Sequence, residues 1–296
     1  MSTPRVLFVG RSTLDVLYWL DHLPEEDTKT YARSFHAAPG GPAFNAAITH
    51  ALLGGKTALV SAVGEGPWAT MVREELSRLG IALIDLADGT AYEMPLSSVL
   101  VNAAGATRTI VNPPLSSIEL RHPDKSWNPT WGEIPTIVLT DGFHLNETAA
   151  LLAGLRDAGA TLCLDGGGWK PGTEELAGLL TVAICSERFL VPGQSSTPDA
   201  TLSWFAGKGV RHAAITRGAR SILGLDHGRR FEIEVRKIEA ADTLGAGDVL
   251  HGAFCYHFAR THEFEPSLKL AADIATRSCQ RLGIQSWATQ NAANSI

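Results

Sequence analysis

The sequence predicts an α/β fold, with a mostly parallel central sheet covered by helices on both faces. Three observations carry this reading. Residues 5–10 (RVLFVG) are a short, continuous, β-branched apolar run ending in glycine, as expected of a strand buried on both sides. From residue 135 onward, short apolar runs alternate with longer amphipathic ones, which calls for right-handed strand–helix–strand crossovers. Residues 16–36 and 95–111 break that rhythm and together suit a small separate sheet.

Composition narrows the function classes. The chain has 296 residues, 45% hydrophobic and 19% charged, enough for a sizeable core. A net charge of −6 argues against a nucleic-acid surface. No apolar run reaches the length of a membrane span. The first residues lack the apolar region and cleavage site of a signal peptide, so a cytoplasmic protein is expected. The four cysteines, Cys163, Cys185, Cys255 and Cys279, are far apart in apolar surroundings and read as reduced. His251 and Cys255 share a helical face, but two ligands do not make a zinc site, and core packing explains them. There are no internal repeats or low-complexity segments.

Asp15 follows the first strand. A carboxylate just past a strand's C-terminal end lies where open α/β sheets bind ligands, although a turn or cap aspartate looks the same. Residues 16–36, polar and irregular, read as an excursion outside the core. Gly40-Gly41-Pro42 then opens a small-residue helix, residues 43–53, with Asn45 in its first turns. Paired glycines there permit close backbone approach to a ligand. A strand at 57–63 follows. Two look-alikes sit here. Gly55-Lys56-Thr57 resembles the end of a Walker A loop, but His50 stands where its first glycine belongs, and the helix comes before the strand. Gly64-Glu65-Gly66-Pro67-Trp68-Ala69 fits a dinucleotide fingerprint, with Asp85 at ribose-contact spacing; Pro67 at a helix start explains the same letters. Residues 71–79 continue as a helix and 81–86 as a strand. Residues 95–101 and 107–111 read as a hairpin, with Arg108 at the start of its return strand.

The regular half gives strands at 137–139, 161–164, 182–185 and 212–216, and helices at 147–158, 174–180 and 198–208. Segments 221–225 and 230–235 form an antiparallel pair turning at Asp226-His227-Gly228. The stretch Asp242-Thr243-Leu244-Gly245-Ala246-Gly247-Asp248 opens a helix, and another covers 266–282. Exposed N–H groups at such a start bind anions, because they lack intrahelical partners and sit at the positive end of the dipole. Asp248 beside them is suited to take a proton from a hydroxyl that attacks phosphate. By itself the stretch reads more readily as an ordinary helix start whose aspartate favours the dipole.

Taken together, these residues resemble the ribokinase-like (PfkB) carbohydrate kinases along nearly the whole chain. Gly40 to Ala47 looks like their N-terminal signature. Asp242 to Asp248 matches their C-terminal one at every defined position, about 200 residues later. The stretch from Val6 to Asp27, the Arg108-Thr109-Ile110-Val111 strand and Gly283-Ile284-Gln285-Ser286 look most like the ketohexokinase and related sugar-kinase branches.

The resemblance implies a three-layer α/β sandwich of one domain, residues 1–296, with a small β-sheet lid from about residues 12–36 and 92–112. It implies ATP-dependent phosphorylation of a primary hydroxyl on a small sugar, with Asp248 as general base and the amides of Gly245, Ala246 and Gly247 as an anion hole. By the same resemblance Asp15, Gly40, Gly41 and Asn45 contact sugar hydroxyls, and Arg108 makes a lid or phosphate contact. Thr216, Gly218 and Thr243 line the nucleotide. Asp242, Thr243, Gly283 and Ser286 form a monovalent-cation site for K⁺. Lids of relatives pair between subunits, so a homodimer is expected, with Asp27 reaching the neighbour's sugar. One departure stands out. Relatives carry Asn-x-x-Glu to organise Mg²⁺ through water; here the stretch is Ser186-Glu187-Arg188-Phe189, and Glu187 is the available substitute. Two other readings remain at this point: a catalytically silent sugar- or nucleotide-binding regulator on the same fold, and the NAD-binding dehydrogenase suggested by Gly64 to Ala69.

Overall fold

The computed structural model describes residues 3–102, 104, 105, 107–114, 118–123, 131–281, 283, 285, 287 and 288. The chain opens with β1 (Arg5–Val9), β2 (Thr13–Leu20) and β3 (Ser34–Gly40), then α1 (Pro42–Leu52), β4 (Lys56–Ser61), α2 (Pro67–Arg78) and β5 (Ala82–Asp85). It continues through β6 (Leu96–Asn102), β7 (Thr107–Val111), β8 (Ile137–Thr140), α3 (Leu145–Asp157), β9 (Thr161–Gly166), α4 (Thr173–Ala177), β10 (Val182–Ser186) and α5 (Pro198–Gly207). The last elements are β11 (His212–Arg217), β12 (Arg220–Asp226), β13 (Arg229–Ile233), α6 (Ala246–Thr261) and α7 (Phe264–Ser278).

Two sheets result. The large one has the order β13-β12-β11-β10-β9-β8-β1-β4-β5. It is parallel from β11 through β5, with β12 and β13 antiparallel at one edge. Every residue of β8 is buried, and so is nearly every residue of β1, β4, β9 and β10, which is why these strands read as continuous apolar runs. The β12–β13 hairpin turns at His227 and Gly228, both with positive φ, as a two-residue turn requires.

The smaller sheet has the order β3-β2-β6-β7. The hairpin read at 95–111 is present as β6 and β7. The excursion at 16–36 needs correction. Residues 21–36 are almost all exposed, but Val16, Leu17 and Leu20 are buried. The reason is that β2 is central, with β3 on one side and a parallel pairing to β6 on the other. Nothing local in the sequence announces that long-range pairing. The helix read at 174–180 is also shorter, ending at Ala177 with Gly178 as its cap.

The smaller sheet has two unlike faces. Directly paired residues share a face, so Asp15, Ser97 and Ala38 lie on one, with Val101 and Arg108. Tyr18, Phe35 and Leu100 lie on the other, with Val111.

Candidate active site

Carboxylates gather at the C-terminal edge of the large sheet. Asp141 follows β8, Asp165 ends β9, Asp15 enters from β2, and Asp248 lies in the first turn of α6. Asn45 of α1 donates from Nδ2 to Asp248 Oδ2 at 2.7 Å, which joins the two signature stretches directly. Close helix packing makes this possible. A Cβ on Gly252 of α6 would stand 2.3 Å from the Ala46 carbonyl oxygen of α1.

Gly245 is the cap of α6, with φ 69°, a conformation that favours glycine. Its carbonyl accepts from Val249 N at 2.9 Å, and the Ala246 amide donates to the Thr243 carbonyl at 3.4 Å across the loop that enters the helix. Asp242 fixes the loop ahead of it. Its carboxylate accepts from Leu244 N at 2.8 Å and from Gly283 N at 3.1 Å, tying the loops at α6 and α7 together. Arg108 crosses from the smaller sheet and donates to Thr243 Oγ1 at 2.5 Å.

On the opposite wall, Asp15 Oδ1 accepts from Thr13 Oγ1 at 2.7 Å. A Cβ at Gly40 would lie 2.0 Å from Asp15 Oδ2, and one at Gly41 would lie 2.4 Å from the Arg11 carbonyl oxygen. The glycine pair therefore lets β3 and α1 close onto the strand end that carries Asp15.

Packed protein pushes the Asp248 carboxyl well above the ordinary aspartate range, although one side stays open to the cleft; the Asp165 charge raises it further, and the Asn45 hydrogen bond acts against the shift. Burial also raises Asp15, opposed by hydrogen bonds from Thr13 and Ser97 and by the Arg11 charge.

Sequence reasoning gave no site role to Asp141 or Asp165 and read His251 as core packing. Asp141 is buried and accepts from Arg11 N at 2.9 Å, Ala43 N at 3.2 Å and Phe143 N at 2.9 Å. Burial lifts its carboxyl to about 6, with Lys170 the main opposing influence. Asp165 Oδ2 is buried without a hydrogen-bond partner, 3.4 Å from His251 Nδ1. His251 is more than packing. Its ring lies 2.8 Å from the Gly247 carbonyl through Nδ1 and 3.0 Å from the Ile184 carbonyl through Nε2, pinning the start of α6 to β10. The warrant applied to Asp15, a carboxylate just past a strand end, also selects Asp141 and Asp165.

Other expected residues lie apart. Thr216 and Gly218 sit where β11 ends, and Glu187 just past β10; Thr216 O accepts from Glu187 N at 3.0 Å. Glu187 forms an ion pair with Arg220. Phe189 is buried against Trp169 and Phe205, so a carboxylate at that position would fall inside an aromatic cluster. Asp27 is exposed, with φ 57°, between β2 and β3. Ser286 lies outside the described residues. All four cysteines are free. Among the described residues no helix is long and apolar enough to cross a membrane.

The dinucleotide look-alike has a structural explanation. Asp85 accepts from Val63 N and Gly64 N at 2.9 and 3.0 Å, from Ala87 N at 2.9 Å, and pairs with Arg73 at 2.5 Å. It closes its own turn and has no capacity left for a ribose.

A helix start, a carboxylate in its first turn and an asparagine clamp, all at the sheet's C-terminal edge, suit phosphoryl transfer. The family profile described as pfkB family carbohydrate kinase matches residues 3–291, and the chain belongs to that family. It is therefore a carbohydrate kinase, phosphorylating a sugar at the expense of ATP. Among curated relatives, the deoxyribokinase of Salmonella typhi is 22% identical, covering 95% of this chain and 94% of its own. The ATP-dependent ribose-1-phosphate kinase of Halopiger xanaduensis is 25% identical, covering 97% and 96%. Arabidopsis thaliana ribokinase, solved with ribose and ATP, superposes with a TM-score of 0.76 at 21% identity over 96% of each chain. That likeness extends to the ribokinase-like fold with its second, smaller sheet.

Proposed function

We propose that the cleft transfers the γ-phosphoryl group of ATP to a primary hydroxyl of a small sugar or sugar derivative, with Asp248 as general base. The observation that carries this is the Asn45–Asp248 hydrogen bond of 2.7 Å at the head of α6. It ties a carboxylate of raised proton affinity to α1 at the head of α6, which supports a base beside the first-turn amides. The hydroxyl gives its proton to Asp248, its oxygen bonds to the γ-phosphorus, and the bond to the β–γ bridging oxygen breaks as ADP leaves. The amides of Gly245, Ala246 and Gly247 stabilise the charge on the transferring group. Asp15, Gly40, Gly41 and Asn45 hold the sugar, and Thr216, Gly218 and Thr243 border the nucleotide.

The Arg108–Thr243 contact supports a lid role for the smaller sheet, excluding water as it closes. Relatives named for ribose, deoxyribose and ribose 1-phosphate support a small-sugar acceptor, neutral or charged. Magnesium fits the donor set: the unpartnered Asp165 Oδ2, with Glu187 farther along the edge, would hold it through water, and it would neutralise phosphate charge. K⁺ would sit against the backbone of Asp242, Thr243 and Gly283, whose loops the Asp242 carboxylate already joins. The exposed Phe35 and Val111 of the smaller sheet support a homodimer, with Asp27 directed to the neighbour's site. The test is ADP release from ATP and Mg²⁺ across a sugar panel. Asp248→Asn should lower kcat by about 10²–10⁴-fold while sugar binding persists; full activity in that variant would remove Asp248 from the mechanism.

A further inference from the structure

Beside the Asp15 wall lies a cavity of about 810 Å³, larger than a pentose needs. Trp68, Tyr92, Met94 and Phe143 form its apolar lining, and Arg11 and His144 its buried polar groups. The Arg11 guanidinium lies 5.1 Å from the centre of the Phe143 ring. Its Nε and Nη2 are shielded from solvent and have no hydrogen-bond partner. These two nitrogens form the side edge of the guanidinium, where two N–H bonds run parallel. That edge matches the spacing of two oxygens on a carboxylate, phosphate or sulfonate. Among the described residues Arg11 makes no salt bridge, and the nearby Asp15 carboxylate takes its hydrogen bonds from Thr13 and Ser97. An unpaired buried donor is costly, more so when charged, and rotation of the Arg11 side chain into the cavity it lines would give this edge an acceptor that arrives with a ligand.

His144 supplies the second unpaired group. It caps α3 at φ 59°, and its Nε2 is buried without a partner. Burial, with help from the Arg11 charge, lowers its pKa to about 4, so near neutral pH the ring is uncharged and Nε2 can carry a proton to donate. The two carboxylates that border the cavity, Glu65 and Glu93, are exposed and screened by water, whereas the Arg11 edge is not.

We propose that the acceptor is a sugar carrying an oxyanion away from the phosphorylated hydroxyl, and that Arg11 holds this group side-on, with His144 Nε2 as a further donor. The proposal rests on the kinase reading of the Asp248 cleft. It excludes a plain neutral sugar as the preferred acceptor. The sources of the oxyanion are a sugar phosphate, a sugar acid and a sulfonated sugar, which differ in geometry and charge.

The experiment pairs each neutral sugar with its phosphate, carboxylate and sulfonate derivatives. ADP release is measured for the wild-type protein, Arg11→Met and Arg11→Lys, and binding of the same compounds by calorimetry. Melting curves establish that each variant is folded. One anionic series should exceed its neutral parents by about 100-fold or more in kcat/KM. Arg11→Met should erase that preference, mainly through KM, and Arg11→Lys should restore only part of it, because an ammonium lacks the parallel edge. Neutral sugars turned over best, with Arg11→Met leaving the order of preference unchanged, would overturn the proposal and leave the kinase reading intact. Anionic sugars that bind through Arg11 without turnover would uphold the pocket and overturn the kinase reading. No turnover together with no Arg11-dependent binding would overturn both.

Discussion

Aspartates converge on the cleft, and burial raises the proton affinity of Asp15, Asp141 and Asp248. Asp141 is the one whose carboxyl lies deepest, lifted to about 6 by burial. Between about pH 4 and 6 the folded chain keeps a proton there that the unfolded chain has released. That stabilisation is complete at low pH and is lost as pH rises through the folded value, about 3 kcal/mol in all. Asp141→Asn should therefore flatten the fall in urea-unfolding stability between pH 4 and 7. It should also lower stability by about 1–3 kcal/mol at pH 4, because an amide NH₂ would face one of the three backbone N–H groups the carboxylate now accepts. Wild-type and variant curves that run parallel would contradict this. Asp141 was legible by the same rule that selected Asp15, yet it stands in Thr140-Asp141-Gly142-Phe143, which carries no signature. Arg11 was not legible at all: what singles it out is the lack of a partner inside a cavity, a property that no residue pattern encodes.

At the scale of elements, periodicity located most helices and strands to within a few residues, because buried parallel strands and capped helices leave local marks. It could not say which helix face meets which. The apolar spacing of α6 fits several orientations, and the one adopted is fixed by Gly252, where the α1 backbone leaves no room for a side chain. This contact keeps Asn45 within reach of Asp248. Gly252→Ala should force the helices apart, since the opposing atom is backbone and cannot rotate away. The expected cost is about 1–3 kcal/mol in stability, with a drop in kcat larger than the change in KM as the Asn45–Asp248 bond lengthens. Thermal melts and steady-state kinetics read both. An unchanged melting temperature with unchanged kcat would show that the packing does not position the base.

At the scale of the whole molecule, two sheets divide the work, and the smaller one leaves several apolar side chains in the open. Its cleft-side face carries Asp15, Ser97 and Arg108. Its other face presents Phe35 at 61% exposure and Val111 at 57%, with Tyr31 nearby at 81%. β7 is exposed along its whole length at the sheet's edge, and an uncovered edge strand is a template for pairing. A second copy burying this face would remove the apolar surface and bring the exposed 21–33 segment, with Asp27, toward another cleft. The double variant Phe35→Glu/Val111→Lys leaves the Asp15 face untouched, because both residues point away from it. The wild-type chain should sediment as a dimer at micromolar concentration and this variant as a monomer. If Asp27 serves the neighbour's sugar, the monomer's KM for sugar should rise, and Asp27→Asn should raise it similarly without dissociating the dimer. A wild-type chain that stays monomeric as concentration increases would leave the apolar face without this role and return Asp27 to an ordinary exposed turn.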